Sequence, residues 1–533
     1  MTRRILARRG IAGEAALDEF LDPSLSRLAR PGDLPGISAA VDETIPFLAS
    51  GRKIVVFGDY DCDGVCASAI LVKTLSALGA DASAFVPDRA AEGYGMNAKS
   101  VARMLREHPG VALAITVDNG VNAVDEVAAL VARGIHVIVT DHHLPGATLP
   151  GCTVVNPKVA APPSLEPLCG AGVAFFFACA LANEARARGM YSGGSLGGAP
   201  LVLAGLATVT DIMPLVGQNR IIVSESLKYF GRFAPAGLRE LHQRAARTGA
   251  KKMCARDYAF LLGPRLNAAG RMASATEALE LVLCDDREKA RERACAVDRL
   301  NTERKTAEKA MVDAAAAKIS AGALAQVIEL EDGNPGVAGI VASKILEATG
   351  VPVCIVVDGR GSARAPEGYN LPKAFAHASS ALERFGGHAA AGGFSVKAGR
   401  LDEFRRLFAE ACGLQRAAAG PSAPEYDLEV AAEELDIETV GSFRLLEPFG
   451  VGNPEPVFMM RGKKLCDLRR MGDRHLCFTV DGVRAVWWGQ GEKLDEIGRL
   501  ASGADILFSA RISEYGGDHV EFDVSGVAPA TES

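Results

Sequence analysis

The sequence predicts an α/β protein in which a doubly wound parallel-sheet domain and a smaller α/β domain are joined by one long helix and followed by a β-barrel domain. Three observations carry this prediction. Apolar runs of strand length alternate with helical patterns over residues 53–155, the stretch 286–319 contains neither Gly nor Pro, and short strand-like runs separated by turns fill residues 428–533. Continuous apolar strands that alternate with helices are typical of a parallel sheet covered on both faces.

The composition favours a large globular protein with reduced cysteines. At 533 residues the chain is too long for one ordinary core, and 23% charged residues with 48% hydrophobic ones argue against bulk disorder. The twelve cysteines include no C-x-x-C pair, which favours cytoplasmic thiols over a disulfide framework or a structural zinc site. The N-terminus lacks the apolar core of a secretory signal, and the most apolar run, 169–182, has about 14 residues where a membrane span needs ~20. We therefore expect a cytoplasmic protein that does not enter membranes, with 169–182 as a buried helix.

Changes of pattern along the chain suggest where the domains end. The stretch 286–319 predicts an exposed helix between two domains, and the small residues and prolines of "QRAAAGPSAPEYD" predict a linker. We divide the chain into an N-terminal segment 1–45, a first α/β domain 46–285, a connecting helix 286–320, a second α/β domain 321–414, a linker 415–427 and a β-rich domain 428–533.

Charge is unevenly distributed. The net charge of −7 argues weakly against nucleic acid, yet segment 231–271 carries nine Arg and Lys residues against Glu240 and Asp257, a balance of +7. Its cations are Arg232, Arg239, Arg244, Arg247, Lys251, Lys252, Arg256, Arg265 and Arg271. Two interpretations stay open, a solvated helical face and a surface that faces a polyanion.

Four clusters of acidic and histidine residues lie at predicted strand ends or just beyond them. They are "GDYDCDG" (58–64), "TVDNG" (116–120), "VTDHH" (139–143) and, after an apolar run, "TDIMPL" (210–215). A single Asp in a loop is usually a turn former or a helix cap, but the carboxyl ends of parallel strands meet at one edge of the sheet. Carboxylates with imidazole suit Mn²⁺ or Mg²⁺, and two such ions about 4 Å apart serve in-line displacement at phosphorus. The residues therefore predict metal-assisted phosphoryl hydrolysis.

The motifs together resemble the DHH phosphoesterase superfamily and, within it, the RecJ family of single-strand-specific exonucleases. The resemblance runs nearly from end to end. Its motifs are "FGDYDCDG", "EGYGMN", "TVDNG", "VTDHH", "TDIMPL", "GPRLNAAGRM", "GIVASKI", "GSAR", "GGHAAAGG" and "EPFGVGNPEPVF". It implies that the three predicted domains are a DHH domain, a DHH-associated domain and an OB-fold domain.

The resemblance also implies a site for two divalent cations, Mn²⁺ or Mg²⁺. Asp118 is expected to bridge the two ions, and Asp59 either completes the first site or hydrogen-bonds to a ligand. His143 is expected near the scissile phosphate and the attacking water. The positions that match the family's metal ligands are Asp61, Asp63, Asp118, His142 and Asp211.

Substrate-binding residues are implied in both α/β domains. We expect Asn267 and Arg271 in a Gly-containing loop, where a guanidinium contacts phosphate oxygens and stabilises developing charge. In the DHH-associated domain, the small residues of "GGHAAAGG" let backbone amides approach an anion, unless they serve tight helix packing. The expected phosphate contacts there are Ser362, Arg364, Gly387 and His388.

The activity that the resemblance implies is processive 5′→3′ hydrolysis of single-stranded DNA to 5′-mononucleotides, in DNA repair and recombination. The OB-fold would hold the strand by stacking bases on exposed aromatic side chains. Adjacent strand residues face opposite sides, so at most one of Trp487 and Trp488 faces a groove, and both could be packing residues. Family analogy implies a single-strand-binding protein and a helicase as partners, and we expect a monomer.

Two other functions are compatible with parts of the sequence. A DHH phosphodiesterase acting on short oligonucleotides or cyclic dinucleotides would use the same chemistry, but it would not need the C-terminal β-rich domain or the basic segment. A catalytically silent single-strand-binding or scaffold protein would be missing a ligand, whereas every matched position is filled.

Overall fold

The computed structural model describes residues 1–89, 91–93, 95–246, 253–416, 425–513 and 518–530. Its residues form two units. The larger unit comprises Arg30–Asp211 and Tyr229–Ser422, and the smaller unit comprises Met1–Ala29, Ile212–Lys228 and Ala423–Ser533. Residues 417–424 of the predicted linker lie outside the described residues, as do three cations of the basic segment, Arg247, Lys251 and Lys252.

The chain begins with helices α1 (Thr2–Arg8), α2 (Glu14–Leu21) and α3 (Ile37–Ser50), and then enters a five-stranded sheet. All strands of this first sheet are parallel, in the order β2-β1-β3-β4-β5. They are β1 (Ile54–Phe57), β2 (Ala82–Phe85), β3 (Leu113–Val117), β4 (His136–Thr140) and β5 (Thr153–Val155). Strands β1 and β3 are buried throughout, as continuous apolar runs require in a sheet covered on both faces.

Six helices lie between the strands of the first sheet or follow its last strand in the sequence. They are α4 (Cys62–Ala77), α5 (Ala98–Glu107), α6 (Val124–Val131), α7 (Pro157–Ala160), α8 (Gly170–Ala187) and α9 (Gly198–Thr210). Helices α5 and α6 share a core with the sheet, whereas α4 packs against α8 and α9. The predicted doubly wound sheet is confirmed, and the apolar run 169–182 forms the buried helix α8, as predicted. Among the described residues, no helix combines the length and the apolar character needed to cross a membrane.

The helical region that follows corrects two predictions. Its members are α10 (Gly217–Phe233), α11 (Ala236–Ala245), α12 (Ala255–Asp257), α13 (Gly263–Met272), α14 (Thr276–Leu283) and α15 (Arg287–Ala316). The expectation of a loop at "GPRLNAAGR" is wrong, because this stretch forms α13, which continues without a break from the π-helical turn Tyr258–Leu262. Helix α15 is only partly exposed, because small and apolar residues at helical spacing, from Ala290 to Ala315, bury one of its faces.

The second sheet is mixed, with strand order β6-β7-β8-β10-β9, and only β6 and β7 run parallel. Its strands are β6 (Gln326–Leu330), β7 (Val353–Val357), β8 (Arg360–Arg364), β9 (Leu382–Gly387) and β10 (Ala391–Val396). It is accompanied by α16 (Ala338–Thr349), α17 (Leu371–His377) and α18 (Leu401–Arg416). The run "GGHAAAGG" forms the hairpin between β9 and β10, so the interpretation as tight helix packing is wrong.

The smaller unit contains a closed barrel. Its elements are β11 (Leu428–Glu429), α19 (Ile437–Ser442), β12 (Phe458–Lys463), β13 (Cys466–Met471), β14 (His475–Val480), β15 (Val483–Trp487), α20 (Leu494–Leu500), β16 (Ala504–Ser513) and β17 (His519–Pro529). Strands β12 and β13 are successive halves of one bent strand. Because β12 pairs with β16 while β13 pairs with β14, the order β12-β16-β17-β15-β14-β13 returns to its start. A five-stranded barrel with a helix between its third and fourth strands is an OB-fold, as predicted.

Candidate metal centre and its cavity

The loop after β1 supplies three carboxylates. Asp61 is the N-cap of α4, and its Oδ1 accepts hydrogen bonds from the amides of Asp63 (3.0 Å) and Gly64 (3.1 Å). A Cβ on Gly64 would lie 2.6 Å from the backbone of Asp59, so only glycine lets α4 begin this close to the loop. The triplet is therefore packed by local geometry rather than spread out by its mutual repulsion.

The first turn of α8 holds Asp63. Its two carboxylate oxygens accept hydrogen bonds from the amides of Gly170 and Ala171, each at 2.7 Å. A helix N-terminus favours a carboxylate, because its amides are free and its dipole end is positive. A Cβ on Gly170 would lie 2.5 Å from Cβ of Asp118, so this glycine also makes room for the next acidic residue.

Three further elements complete the cluster. Asp118 follows β3 with φ 62°, His142 follows β4, and Asp211 is the C-cap of α9. The Nε2 atom of His142 lies 3.0 Å from Oδ1 of Asp118, 3.6 Å from Oδ2 of Asp63 and 3.7 Å from Oδ2 of Asp211. The expectation that Asp211 follows a strand is wrong: the preceding run "LVLAGLATV" is a helix buried on all sides, which apolar periodicity does not distinguish from a buried strand.

All six predicted metal-ligand positions meet in this cluster. Their ligand atoms form three groups, each within 4.8 Å: Asp59 with Asp61 and Asp118, Asp63 with His142 and Asp211, and Asp118 with His142 and His143. Asp118 thus belongs to the first group and also reaches His142 of the second. Asp59, whose role the sequence left open, lies in the first group.

The charges of the cluster are poorly compensated by the protein. Burial first, and neighbouring carboxylates second, raise the pKa of Asp59 and of Asp118 well above the ordinary value and that of Asp211 to about 9. Burial lowers the pKa of His142 to about 4. Oδ1 of Asp59 and Oδ1 of Asp118 are buried and accept no hydrogen bond from any described residue. Such a donor set fits divalent cations, which would supply the missing positive charge.

Asp141 is a functional candidate to which the sequence analysis assigned no role. Its Oδ1 accepts hydrogen bonds from the amides of His142 (2.7 Å) and His143 (3.1 Å) and from Nδ1 of His143 (2.8 Å), while Oδ2 accepts from the Val121 amide (2.9 Å). Burial alone would raise the pKa of Asp141, but these hydrogen bonds lower it. Burial is the largest single influence on His143 and lowers its pKa, but the hydrogen bond to Asp141 and the charges of Asp141, Asp63 and Asp59 together raise the pKa of the imidazole. Asp141 therefore fixes the orientation of the histidine ring.

The cluster opens into a cavity of about 890 Å³ within the larger unit. The acidic and histidine side contributes Asp61 and His143, and the opposite side comes from α13, β8 and the β9–β10 hairpin. Every predicted substrate-binding residue lines it: Asn267, Arg271, Ser362, Arg364, Gly387 and His388. Oδ1 of Asn267 accepts a hydrogen bond from the Cys62 amide (2.7 Å), so this residue holds the acidic loop in place.

Three arginines face the cavity without a carboxylate partner among the described residues. Nη1 of Arg271 donates to the carbonyl oxygen of Gly336 (3.0 Å), and the Arg89 guanidinium lies 5.2 Å from the centroid of the Tyr60 ring. Burial first, and the charge of Arg89 second, lower the pKa of Arg271 to about 10 and also lower that of Arg364. Sequence analysis missed Arg89 and Tyr60, although both lie in or beside matched motifs. The cavity thus has an acidic side and a cationic side.

The rest of the basic segment contributes little to this cavity. Of its described cations only Arg271 lines it, while Arg265 pairs with Asp298 (2.8 Å) and Arg239 donates to the carbonyl oxygen of Ala234 (2.9 Å).

The barrel presents one of its two tryptophans. Trp487, the last residue of β15, belongs to the barrel core, whereas Trp488 follows the strand in a turn and is 48% exposed. Nε1 of Trp488 donates to Oδ1 of Asp523 (2.9 Å), and its ring meets His475 edge-on with centroids 4.9 Å apart. The indole is therefore held in one orientation.

Comparison with known proteins gives matches along most of the chain. The DHH family N-terminal domain matches residues 53–197, the DHHA1 domain matches 313–413, and the RecJ OB domain matches 426–524. The single-stranded-DNA-specific exonuclease RecJ of Thermus thermophilus is 36% identical and aligns with 98% of this chain and 76% of its own length. The Escherichia coli protein of the same name is 32% identical over 93% of this chain and 88% of its own.

Solved structures agree in fold. The crystal structure of RecJ in complex with Mn²⁺ from Thermus thermophilus superposes with a TM-score of 0.85 at 33% identity, over 99% of this chain and 78% of that one. The complex of the same protein with Mg²⁺ gives a TM-score of 0.79 at 31% identity, over 99% of this chain and 77% of that one.

Proposed function

This chain belongs to the RecJ family of single-stranded-DNA-specific exonucleases, and we propose that it hydrolyses phosphodiester bonds of single-stranded DNA at the acidic cluster. One observation carries the proposal. Asp59 and Asp118 each hold a buried oxygen that accepts no hydrogen bond from any described residue, and the cavity beside them is lined by three arginines without a carboxylate partner among the described residues. A phosphodiester with divalent cations supplies what both sides lack.

The ligand groups suggest how two cations, Mn²⁺ or Mg²⁺, are held. We assign Asp59 and Asp61 to one cation and Asp63, His142 and Asp211 to the other, with Asp118 shared. When bound, such ions neutralise charge on the phosphate oxygens and lower the pKa of the attacking water.

The remaining side chains bind and orient the strand. His143, oriented by Asp141, presents its other ring nitrogen to a phosphate oxygen, and Arg271 and Arg364 contact the phosphate from another part of the cavity lining. Ser362, Gly387 and His388 add polar contacts from the second sheet. Arg271 stabilises charge that develops on the phosphate, because its guanidinium is already desolvated and aimed at the cavity.

The direction of cleavage and the biological role are proposed from membership in the family. We propose 5′→3′ processive cleavage, release of 5′-mononucleotides, and a role in DNA repair and recombination. On the barrel, Trp488 would stack on a base of the strand, since its ring is exposed and fixed. We further propose a monomer that works with a single-strand-binding protein and a helicase, on family analogy alone.

The test uses Mn²⁺ with 5′- and 3′-labelled single strands, a duplex and a dinucleotide. We expect mononucleotides from the 5′ end of single strands and little from the duplex. Cleavage of the dinucleotide alone would instead identify a small-substrate phosphodiesterase, and strand binding without cleavage would identify a silent binding protein. Asp118→Ala should abolish cleavage and leave strand binding, whereas the exposed Asp313→Asn on α15 should change neither.

A further inference from the structure

Phe260 is the most exposed aromatic side chain among the described residues, at 67%. It lies in the π-helical turn Tyr258–Leu262, and turns of this kind are frequent at functional sites. Tyr258 and Leu262 are buried, so they attach the turn to the core and Phe260 does not. A phenylalanine kept in solvent gains little from the hydrophobic effect within the chain.

A positive charge lies beside this exposed ring. The guanidinium carbon of Arg256 is 5.8 Å from the centroid of the Phe260 ring, within reach of a cation–π interaction. Aromatic side chains combined with cations are what proteins use to bind single strands, because the ring stacks on a base and the cation attracts phosphates. Arg256 also belongs to the basic segment 231–271, for which the sequence left a polyanion-facing role open. The pair therefore has the chemistry of a single-strand contact.

Arg256 and Phe260 share one helical face with two residues of the cavity. Residues 255–272 form an uninterrupted helical run, made of α12, the π-helical turn and α13. Side chains three or four positions apart on such a run are neighbours. Steps of this size connect five residues that are all at least partly exposed: Arg256, Phe260, Pro264, Asn267 and Arg271. Because Asn267 and Arg271 line the cavity, this face leads from the cavity to Phe260.

The same helical run passes the metal cluster. A Cβ on Gly263 would collide with the side chain of Thr210, so the run packs closely against the residue before Asp211. Phe260 lies about one turn beyond Gly263, and about 16 Å of helix axis separates it from Arg271. At about 3.4 Å per stacked nucleotide this length corresponds to roughly five nucleotides, and to fewer where the strand is stretched. A strand with one phosphate bound at the cluster is therefore long enough to reach Phe260 within a few nucleotides.

We propose that Phe260 and Arg256 form a second contact for the single strand, outside the cavity, in which Phe260 stacks on a base and Arg256 binds a neighbouring phosphate. This inference rests on the proposed function, hydrolysis of single-stranded DNA at the acidic cluster. The contact is independent of base identity, because every base has a π-face. It also favours unpaired strands, because a base inside a duplex is stacked between its neighbours and is not accessible to the ring.

The first test compares Phe260→Ala with Phe260→Tyr. Alanine removes the ring and tyrosine keeps it, and neither change creates a cavity in the core, because the side chain is exposed. On a single strand of about 20 nucleotides we expect Phe260→Ala to raise KM at least fivefold with kcat within twofold of the parent, and Phe260→Tyr to match the parent. Leu414→Ala, which removes a 72% exposed leucine on α18, is the control and should also match it. An unchanged KM in Phe260→Ala, equal losses for Ala and Tyr, or a loss confined to kcat would overturn the inference.

A second test locates the stacked base. Strands with one stable abasic nucleotide at successive positions are given to the parent and to Phe260→Ala, and release of the first nucleotide is timed. We expect one position at which the parent slows and the gap between the two proteins falls below twofold, because the base that stacks on the ring is gone. An equal gap on every strand would overturn the inference. A parent protein that fails to cleave the unmodified strand would instead overturn the proposed function.

A third test concerns the phosphate contact. Binding of the same strand in EDTA is measured by fluorescence anisotropy at several salt concentrations. Removing one phosphate contact lowers the slope of log Kd against log salt by about 0.7 for a single strand, so we expect that decrease for Arg256→Gln. An unchanged slope would overturn the role of Arg256.

Discussion

Replacing Asp118 by Asn should stabilise the metal-free protein while it removes both Mn²⁺-induced stabilisation and nuclease activity. Asp118 is buried, its Oδ1 accepts no hydrogen bond from any described residue, and burial with neighbouring carboxylates raises its pKa well above the ordinary value. Without a cation the folded state therefore holds a carboxylate where the protein provides no compensation. An amide of the same shape removes the charge and offers hydrogen atoms to the remaining oxygens.

The size of the effect follows from the spacing. Ligand atoms of Asp59, Asp61 and Asp118 lie within 4.8 Å of one another. Two unit charges at that distance repel by ~3.5 kcal/mol at an effective dielectric constant of about 20, and proton uptake by the folded protein reduces this value. We expect about 1–2 kcal/mol to be relieved, which corresponds to a rise in melting temperature of roughly 2–8 °C.

Thermal unfolding is measured with EDTA and then with increasing Mn²⁺. The melting temperature of the parent protein should be low in EDTA and rise as Mn²⁺ is added, because a ligand that binds only the folded state stabilises it. The melting temperature of Asp118→Asn in EDTA should be higher than that of the parent and should rise little with Mn²⁺. Asp313→Asn should have the melting temperatures of the parent in both conditions. A lower melting temperature of Asp118→Asn in EDTA would refute the repulsion argument, and an undiminished rise with Mn²⁺ would refute the shared-ligand assignment.

Three other substitutions test the surroundings of the cluster. Gly170→Ala places a Cβ 2.5 Å from Cβ of Asp118 and should lower kcat at least 100-fold in a single-strand exonuclease assay. Asp141→Asn removes charge-assisted hydrogen bonds to His143 and the backbone, so we expect a loss of about 1.5–3 kcal/mol in the free energy of unfolding and a lower kcat, measured by denaturant unfolding and turnover. Trp488→Ala should weaken binding of a long single strand by about 1–3 kcal/mol, measured by fluorescence anisotropy in EDTA.

For Gly170 and Trp488, a second substitution isolates the cause of the expected effect. Gly194→Ala adds a methyl group with nothing within 4 Å and should leave kcat unchanged; an equal loss there would show a general effect of Gly→Ala. For Trp488, substitution by Phe keeps a stacking ring and should retain part of the affinity, and equal losses for Phe and Ala would argue against stacking.

Local patterns made much of the fold predictable. The buried strands of the first sheet and the apolar helix α8 are continuous or periodic in sequence, and each pattern reports directly on burial. Which chain segments form the smaller unit was not predictable, because that depends on contacts between residues far apart in the sequence. Arg220 donates from Nε to the carbonyl oxygen of Phe20 (2.9 Å) and from Nη1 to that of Leu446 (3.0 Å). The sequence around these three residues shows no pattern that predicts these hydrogen bonds.

In the candidate site, too, some residues could be predicted from the sequence and others could not. Asp61, Asp118 and His142 could be placed together because parallel strands end at one edge of a sheet. Asp211 lies at the C-terminal end of helix α9, so the expectation that it follows a strand was wrong. Only the motif resemblance identified it as a candidate metal ligand. Asp141 was missed because its sequence does not say whether its oxygens face the cavity or the neighbouring amides. That choice is made by the turn after β4, where three hydrogen bonds converge on one of its oxygens.

Unfavourable local features are concentrated around one point of this molecule. Asp118 combines a left-handed backbone, a raised pKa and a buried oxygen that accepts no hydrogen bond from any described residue, and it packs so close to Gly170 that a Cβ there would lie 2.5 Å from its own Cβ. Selection for stability alone would remove these features by a single substitution, since asparagine tolerates the left-handed backbone at position 118 and carries no charge. Their persistence at one residue is what a site constrained by bound cations requires, and it implies that the stabilising substitution at Asp118 is one that reduces catalysis.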